Sequence, residues 1–208
     1  MFTWKAGKVA WVVALALVYG LFILWYGGQR APVTAAEGEA FLARMLANRQ
    51  SDFASEHPEF PGNIRRLVAR DDGREFFMIN LETAKPGPEA EAAGAAYSRT
   101  VVPLLLKRGS FPLFMSKPVG PVFGNFGAGI DRVAIVRYRS LHDLLDMSAD
   151  PEMTRGGPQK FLALAHTEVF ATRPVINAFQ VRIFLGLAFL LLGAAGWWIL
   201  SRLERRRG

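Results

Sequence analysis

The chain has 208 residues, 51% of them hydrophobic, a formal net charge of +7 and no cysteine. Without thiols, disulfides, thiolate metal sites and cysteine nucleophiles are excluded. The positive excess does not indicate nucleic acid: Lys5, Lys8, Arg182 and the four arginines of the tail, set against Glu204, lie in or beside two apolar runs, and the remainder is close to neutral.

The first run, Val9 to Tyr26, carries no charge. At about 1.5 Å per residue it covers roughly 27 Å, the thickness of a bilayer's hydrocarbon core. Lys5 and Lys8 precede it, and Trp11, Trp25 and Tyr26 have the character of interfacial anchors. A cleaved signal peptide with its site at VTAA, near Ala35, is the alternative; the length of the run favours an uncleaved anchor. After the loop GGQRAP, Thr34 and Glu37 fit a capping box that opens a helix to about Gln50, with Phe41, Leu42, Met45 and Leu46 on one side. His57 to Gly62 reads as a turn-rich linker, Ile64 to Val68 as a short amphipathic stretch and Asp71-Asp72-Gly73 as a turn.

An alternation of strands and helices follows. Phe76 to Leu81 is a strand apolar on both faces. Pro88 to Lys107 is a helix with Glu89 and Glu91 in its first turn, basic residues in its last and Gly109 after it; Pro103 predicts a kink or break near Thr100. Phe111 to Ser116 is the second strand and Lys117 to Ile130 a loop rich in proline and glycine. Its glycines, Gly120, Gly124, Gly127 and Gly129, lack the flanking strand, helix and lysine of a phosphate loop. Val133 to Tyr138 is the third strand. Ser140 caps a helix through Met147, Asp150 starts a further turn or helix, Pro158 to His166 forms another, and Glu168 to Thr172 is the last strand.

The second run, Ile183 to Leu200, is again uncharged and is followed by Arg202, Arg205, Arg206 and Arg207. Basic flanks at both ends predict both termini in the cytoplasm, a two-span chain in the inner (plasma) membrane and an extracytoplasmic central domain in contact with membrane lipids at its anchors. Gly186 and Gly193 share a face, as do the Ala10/Ala14 and Ala16/Gly20 pairs, which allows close helix approach. The organisation is an N-terminal span (1–30), an amphipathic helix and linker (31–62), a globular domain (63–176), and a second span with its basic tail (177–208).

The strand order is that of a split βαβ, an α+β ferredoxin-like βαββαβ domain. Its own two helices cover one sheet face. The other face is normally polar, but here Phe, Ile and Val occupy both, so a homodimer with sheets packed face to face is expected.

DRVAIVRYRSLHDLLDMSADPE followed by KFLALAHTEVFATRP resembles the C-terminal half of dimeric α+β barrel proteins, nearest to an uncharacterised family of small barrels. More distantly it is similar to antibiotic-biosynthesis-type monooxygenases and muconolactone-isomerase-like enzymes. The resemblance spans about Glu75 to Arg173 and implies a fold, not an activity: no catalytic motif of any branch is present, so no functional residue carries over.

Among residues with chemical capacity, His57, His142 and His166 show no metal spacing, and neither metal nor cofactor is expected. Arg137 shares a strand face with Val133 and Ile135, and Tyr138 the opposite face with Ala134 and Val136. A buried guanidinium there needs a carboxylate or an anionic ligand; an intersubunit ion pair or a solvated strand end is the simpler expectation. Asn80 lies mid-strand among apolar neighbours, and Tyr97 and Arg99 face the sheet or its rim. Asn80, Tyr97, Arg137 and Tyr138 are the candidate ligand pocket. Two functions are compatible with this pattern: a membrane-anchored binding or assembly subunit of a larger complex, and a tethered enzyme acting on a small hydrophobic or lipid-derived molecule.

Overall fold

The computed structural model describes residues 4–27, 30–47, 53–175 and 181–207. They form two compact units, one of residues 28–174 and one that joins the two ends of the chain.

The larger unit begins with α2 (Ala35–Ala47), opened by the expected capping box: Glu37 Oε2 accepts from the Thr34 amide at 2.8 Å, and Thr34 Oγ1 accepts from the Glu37 amide at 3.3 Å. The expected extension to Gln50 lies outside the described residues. Leu42 and Met45 are buried in the main core, so this helix is part of the same compact unit as the sheet. A short helix, α3 (Phe53–Glu56), precedes the expected linker, His57 to Gly62, whose last three residues instead open α4 (Phe60–Ala69). This α4 takes in the expected amphipathic stretch Ile64 to Val68 and has Pro61 in its first turn, where a missing amide goes unnoticed. Gly73 follows with φ +73°, its carbonyl accepting from the Arg30 amide at 3.1 Å. A Cβ there would collide with the Arg30 carbonyl oxygen.

The sheet has four antiparallel strands, β1 (Phe76–Ala84), β2 (Phe111–Ser116), β3 (Arg132–Tyr138) and β4 (Leu164–Thr172), in spatial order β2-β3-β1-β4. That is the split βαβ order, with α5 (Pro88–Lys107) crossing between the parallel pair β1 and β2. Pro103 does not interrupt α5. It lies on the exposed side, as does Arg99, whose carbonyl it leaves without an amide, so water can take that place. Ser140 caps α6 (Leu141–Ser148) through the Asp143 amide, and Asp150 caps α7 (Pro151–Gly156) through that of Glu152. The helix expected to run to His166 ends early: α8 spans Pro158–Ala163, and β4 starts at Leu164 because β1 also runs on to Ala84 and supplies it with partners. His166 is therefore an exposed strand residue.

Register sorts the sheet faces. Phe76, Met78, Asn80 and Glu82 on β1 stand beside Tyr138, Val136, Ala134 and Arg132 on β3 and share the face covered by helices. Every sheet residue in the main core cluster belongs to that face. On the opposite face Ile79, Leu81, Val133 and Ile135 are only half-buried, and Phe114 and Phe170 keep 44% and 46% of their surface. The loop between β2 and β3 also carries fully exposed Val119, Val122 and Phe123.

The smaller unit pairs α1 (Trp4–Tyr26) with α9 (Val181–Arg207). Both are long and apolar enough to cross a membrane, and neither is buried like a core helix: Leu17, Leu21, Leu190 and Leu191 are all exposed. Their contacts step in opposite directions along the two helices: Lys8 Nζ to Glu204 Oε2 at 2.5 Å, Trp11 Nε1 donating to the Leu192 carbonyl at 3.3 Å, and Tyr19 Oη donating to the Arg182 carbonyl at 3.2 Å. Of the small residues marked in the sequence, Gly186 does admit a close neighbour, the Tyr19 hydroxyl, while a Cβ at Gly20 would meet nothing. Gly196, which was not among them, accommodates the Trp11 indole.

Candidate functional site

A cavity of about 700 Å³ lies between the helix-covered sheet face and α4, α5, α7 and α8. Met78 and Val136 form its floor and Val101, Val102 and Leu105 of α5 its roof, with Phe161 and Met153 at the side. It is apolar because each element turns its core-facing period inward: alternate residues of β1 and β3, every third or fourth of α5.

One end is polar. Glu82 follows Asn80 by one strand period and is buried, and its carboxylate accepts from Arg132 Nε at 2.5 Å, opposite it on β3. Lys160 enters from α8, its side chain 13% exposed, with Nζ 3.0 Å from Asn80 Oδ1, 3.6 Å from Glu82 Oε1 and 6.0 Å from the centre of the Tyr97 ring. Burial pushes the Lys160 ammonium below the usual lysine range, outweighing the attraction of Glu82, and Arg132 adds to the lowering. Thr167, opposite Glu82 on β4, lines the same end with a buried hydroxyl that no described group bonds.

Tyr138 lies at the other end, four residues from Ala134 along β3, roughly 13 Å by strand geometry. It stacks on Phe76 with ring centres 5.4 Å apart, and burial, with a smaller contribution from Tyr97, pushes its hydroxyl far above the usual tyrosine value. The structure thus brings Asn80, Tyr97 and Tyr138 to one cavity and leaves Arg137 out of it. Arg137 is on the other sheet face, fully enclosed, its Nε 2.8 Å from Glu75 Oε2 and its Nη1 2.8 Å from the Gly109 carbonyl. Its counter-charge is the Glu75 carboxylate of its own chain. Of the histidines, His57 lines the cavity mouth between Phe53 and Phe161, His142 packs edge-on against Phe41, and His166 pairs with Glu168 at 3.3 Å. Among the described residues no cluster of acidic and histidine side chains could hold a metal ion.

Lys160, Glu82, Arg132 and Thr167 were not in the sequence-derived set. Glu82 and Thr167 fall in the strand extensions that were missed, so their shared face was not visible; Asn80 to Glu82 at strand period was the available signal.

No protein-family model matches the chain, and no curated protein matches it. Among solved structures, a protein of unknown function from Rhodopseudomonas palustris is similar over 54% of this chain and 91% of its own, at 21% identity and a TM-score of 0.50. A dimeric protein of unknown function with a ferredoxin-like fold from Bacteroides fragilis matches over 48% and 96% at 12% identity (TM-score 0.36). A candidate antibiotic biosynthesis monooxygenase from Bacteroides thetaiotaomicron matches over 51% and 95%, also at 12% (TM-score 0.39). At 21% identity the first of these shares the fold alone, and the strand order β2-β3-β1-β4 itself makes the larger unit an α+β, ferredoxin-like domain, which two apolar helices flank in the chain.

Proposed function

We propose that this chain is a membrane-anchored binding module whose ferredoxin-like domain holds a small hydrophobic or lipid-derived molecule in the cavity over its sheet. The observation that carries this is the cavity: about 700 Å³, walled by Met78, Val101, Val102 and Leu105, with the buried charged pair Glu82 and Lys160 at one end. Space of that size and lining is typical of small-molecule sites. A holding role fits the polar end, where contacts of Lys160 with Asn80 and Glu82, and of Glu82 with Arg132, fix the side chains in place.

In this reading α1 and α9 span the inner membrane side by side, which places both termini on one side, and the basic flanks Lys5, Lys8 and Arg202 to Arg206 put that side in the cytoplasm. The domain then faces outward, where a molecule leaving the bilayer can reach it. The open sheet face pairs two copies: Ile79, Leu81, Val133, Ile135 and Phe170 form an apolar surface where an antiparallel sheet is ordinarily polar. A place in a larger membrane complex belongs to the same proposal.

Native mass spectrometry of the full chain, released from its own membrane, tests these points together. The expected species has two copies and one retained small molecule per copy, with any further subunit appearing as added mass. A bare monomer would overturn both the pairing and the holding role.

A further inference from the structure

The polar end of the cavity is built for a single negative charge. Glu82 is one buried carboxylate between two basic side chains, Arg132 at 2.5 Å and Lys160 at 3.6 Å, so with Lys160 in the ammonium form that Glu82 favours the cluster carries one positive charge in excess. An ammonium has three protons to donate. Lys160 gives one to Asn80 and faces Glu82 with a second; the third has no acceptor among the described residues. The Thr167 hydroxyl, directly opposite Glu82, is buried and likewise without a partner. Two unspent donors and one excess charge at one end of an apolar space describe a receptor for a compact anion with a hydrocarbon body.

We infer that the cavity recognises an amphiphilic monocarboxylate, its carboxylate held by Lys160 and Thr167 at the Glu82 end and its chain lying along Met78, Val101 and Leu105. This rests on the cavity being a binding site at all, and names what it selects. A neutral or cationic amphiphile of equal length fills the same apolar space but leaves the Lys160 charge unmatched.

The test uses the full chain in lipid nanodiscs, titrated with octanoate, octanol and octylammonium, with binding followed by the thermal midpoint. The parent and Lys160→Met are measured in parallel, so effects of the amphiphiles on the lipid cancel between them. The expected result is roughly tenfold to hundredfold tighter binding of octanoate than of octanol by the parent, the range of a charge-assisted contact. That preference should fall to about onefold in Lys160→Met and be largely retained in Lys160→Arg. If Lys160→Met fails to fold, Thr167→Val, which keeps shape and removes the donor, should weaken octanoate alone. Equal binding of all three amphiphiles by the parent, or an octanoate preference that persists in Lys160→Met, overturns the anion inference and leaves the cavity reading standing. No binding of any of the three removes both.

Discussion

Glu75→Ala should destabilise the larger unit more than Arg137→Met, although both break the same ion pair. Arg137 is 0% exposed, whereas the Glu75 side chain keeps 28% of its surface in water. Deleting the carboxylate strands a guanidinium charge where water does not reach, and breaking a fully buried pair costs about 3–5 kcal/mol. Glu75 is partly hydrated and the donation to the Gly109 carbonyl persists, which brings the expected loss to roughly 2–3 kcal/mol. Removing Arg137 lets Glu75 turn to water, and methionine keeps most of the volume, so the loss is roughly 1–1.5 kcal/mol, about that of a hydrogen bond. For a unit of this size each kcal/mol moves the midpoint by roughly 2–4 °C. Thermal unfolding of the nanodisc-held chain, with hydrogen exchange of the β1 and β3 peptides as a second reading, should separate the variants by several degrees. Equal midpoints, or the reverse order, would refute the claim that burial of the cation dominates. Arg137→Met should also leave cavity binding intact, since the side chain is on the other face.

Gly73→Ala should lower stability by more than about 1 kcal/mol, because φ is +73° and the new methyl would meet the Arg30 carbonyl; urea unfolding reads it. Burial alone would raise the Asp143 carboxyl, but hydrogen bonds from Arg139 and Ser140 and the charges of Arg139 and Arg30 hold it below the usual aspartate value. Its contribution is therefore complete above the unfolded value of about 3.9 and fades as pH falls through the lower folded value. Asp143→Asn should reduce stability at neutral pH and flatten this part of the acid limb in pH-dependent melting. Ile135→Lys, on the open sheet face, should convert the proposed dimer to a monomer in native mass measurements while leaving the circular dichroism spectrum unchanged. Gly196→Leu should displace the Trp11 indole and loosen the helix pair, seen as slower cross-linking of cysteines placed at Leu15 and Gly193 in this cysteine-free chain.

Elements whose physics is local were readable from the chain. α5 shows its acidic start, basic end and closing Gly109, and α6 shows its Ser140 cap; both fall where expected. The strands at Phe76, Phe111 and Val133 were legible from apolar runs between turn residues. β4 was misjudged at its start because FLALAH suits a helix in isolation, and only pairing with the far end of β1 makes Leu164 to Thr167 extended. That same non-local pairing assembles Glu82, Arg132 and Thr167, so the polar end of the cavity stayed hidden although Asn80, Tyr97 and Tyr138 were found. Arg137 was correctly placed on the face opposite Tyr138; its partner Glu75 lies outside any strand and gave no pattern to read.

A small apolar diazirine probe, photolysed with the full chain in nanodiscs, asks most directly whether the space over the sheet is a binding site. Labelling on Met78, Val101, Leu105 and Phe161, competed away by octanoate and lost in a Val102→Trp variant that fills the space, is the expected outcome. Labelling confined to α1 and α9, with the sheet and α5 untouched, would contradict it.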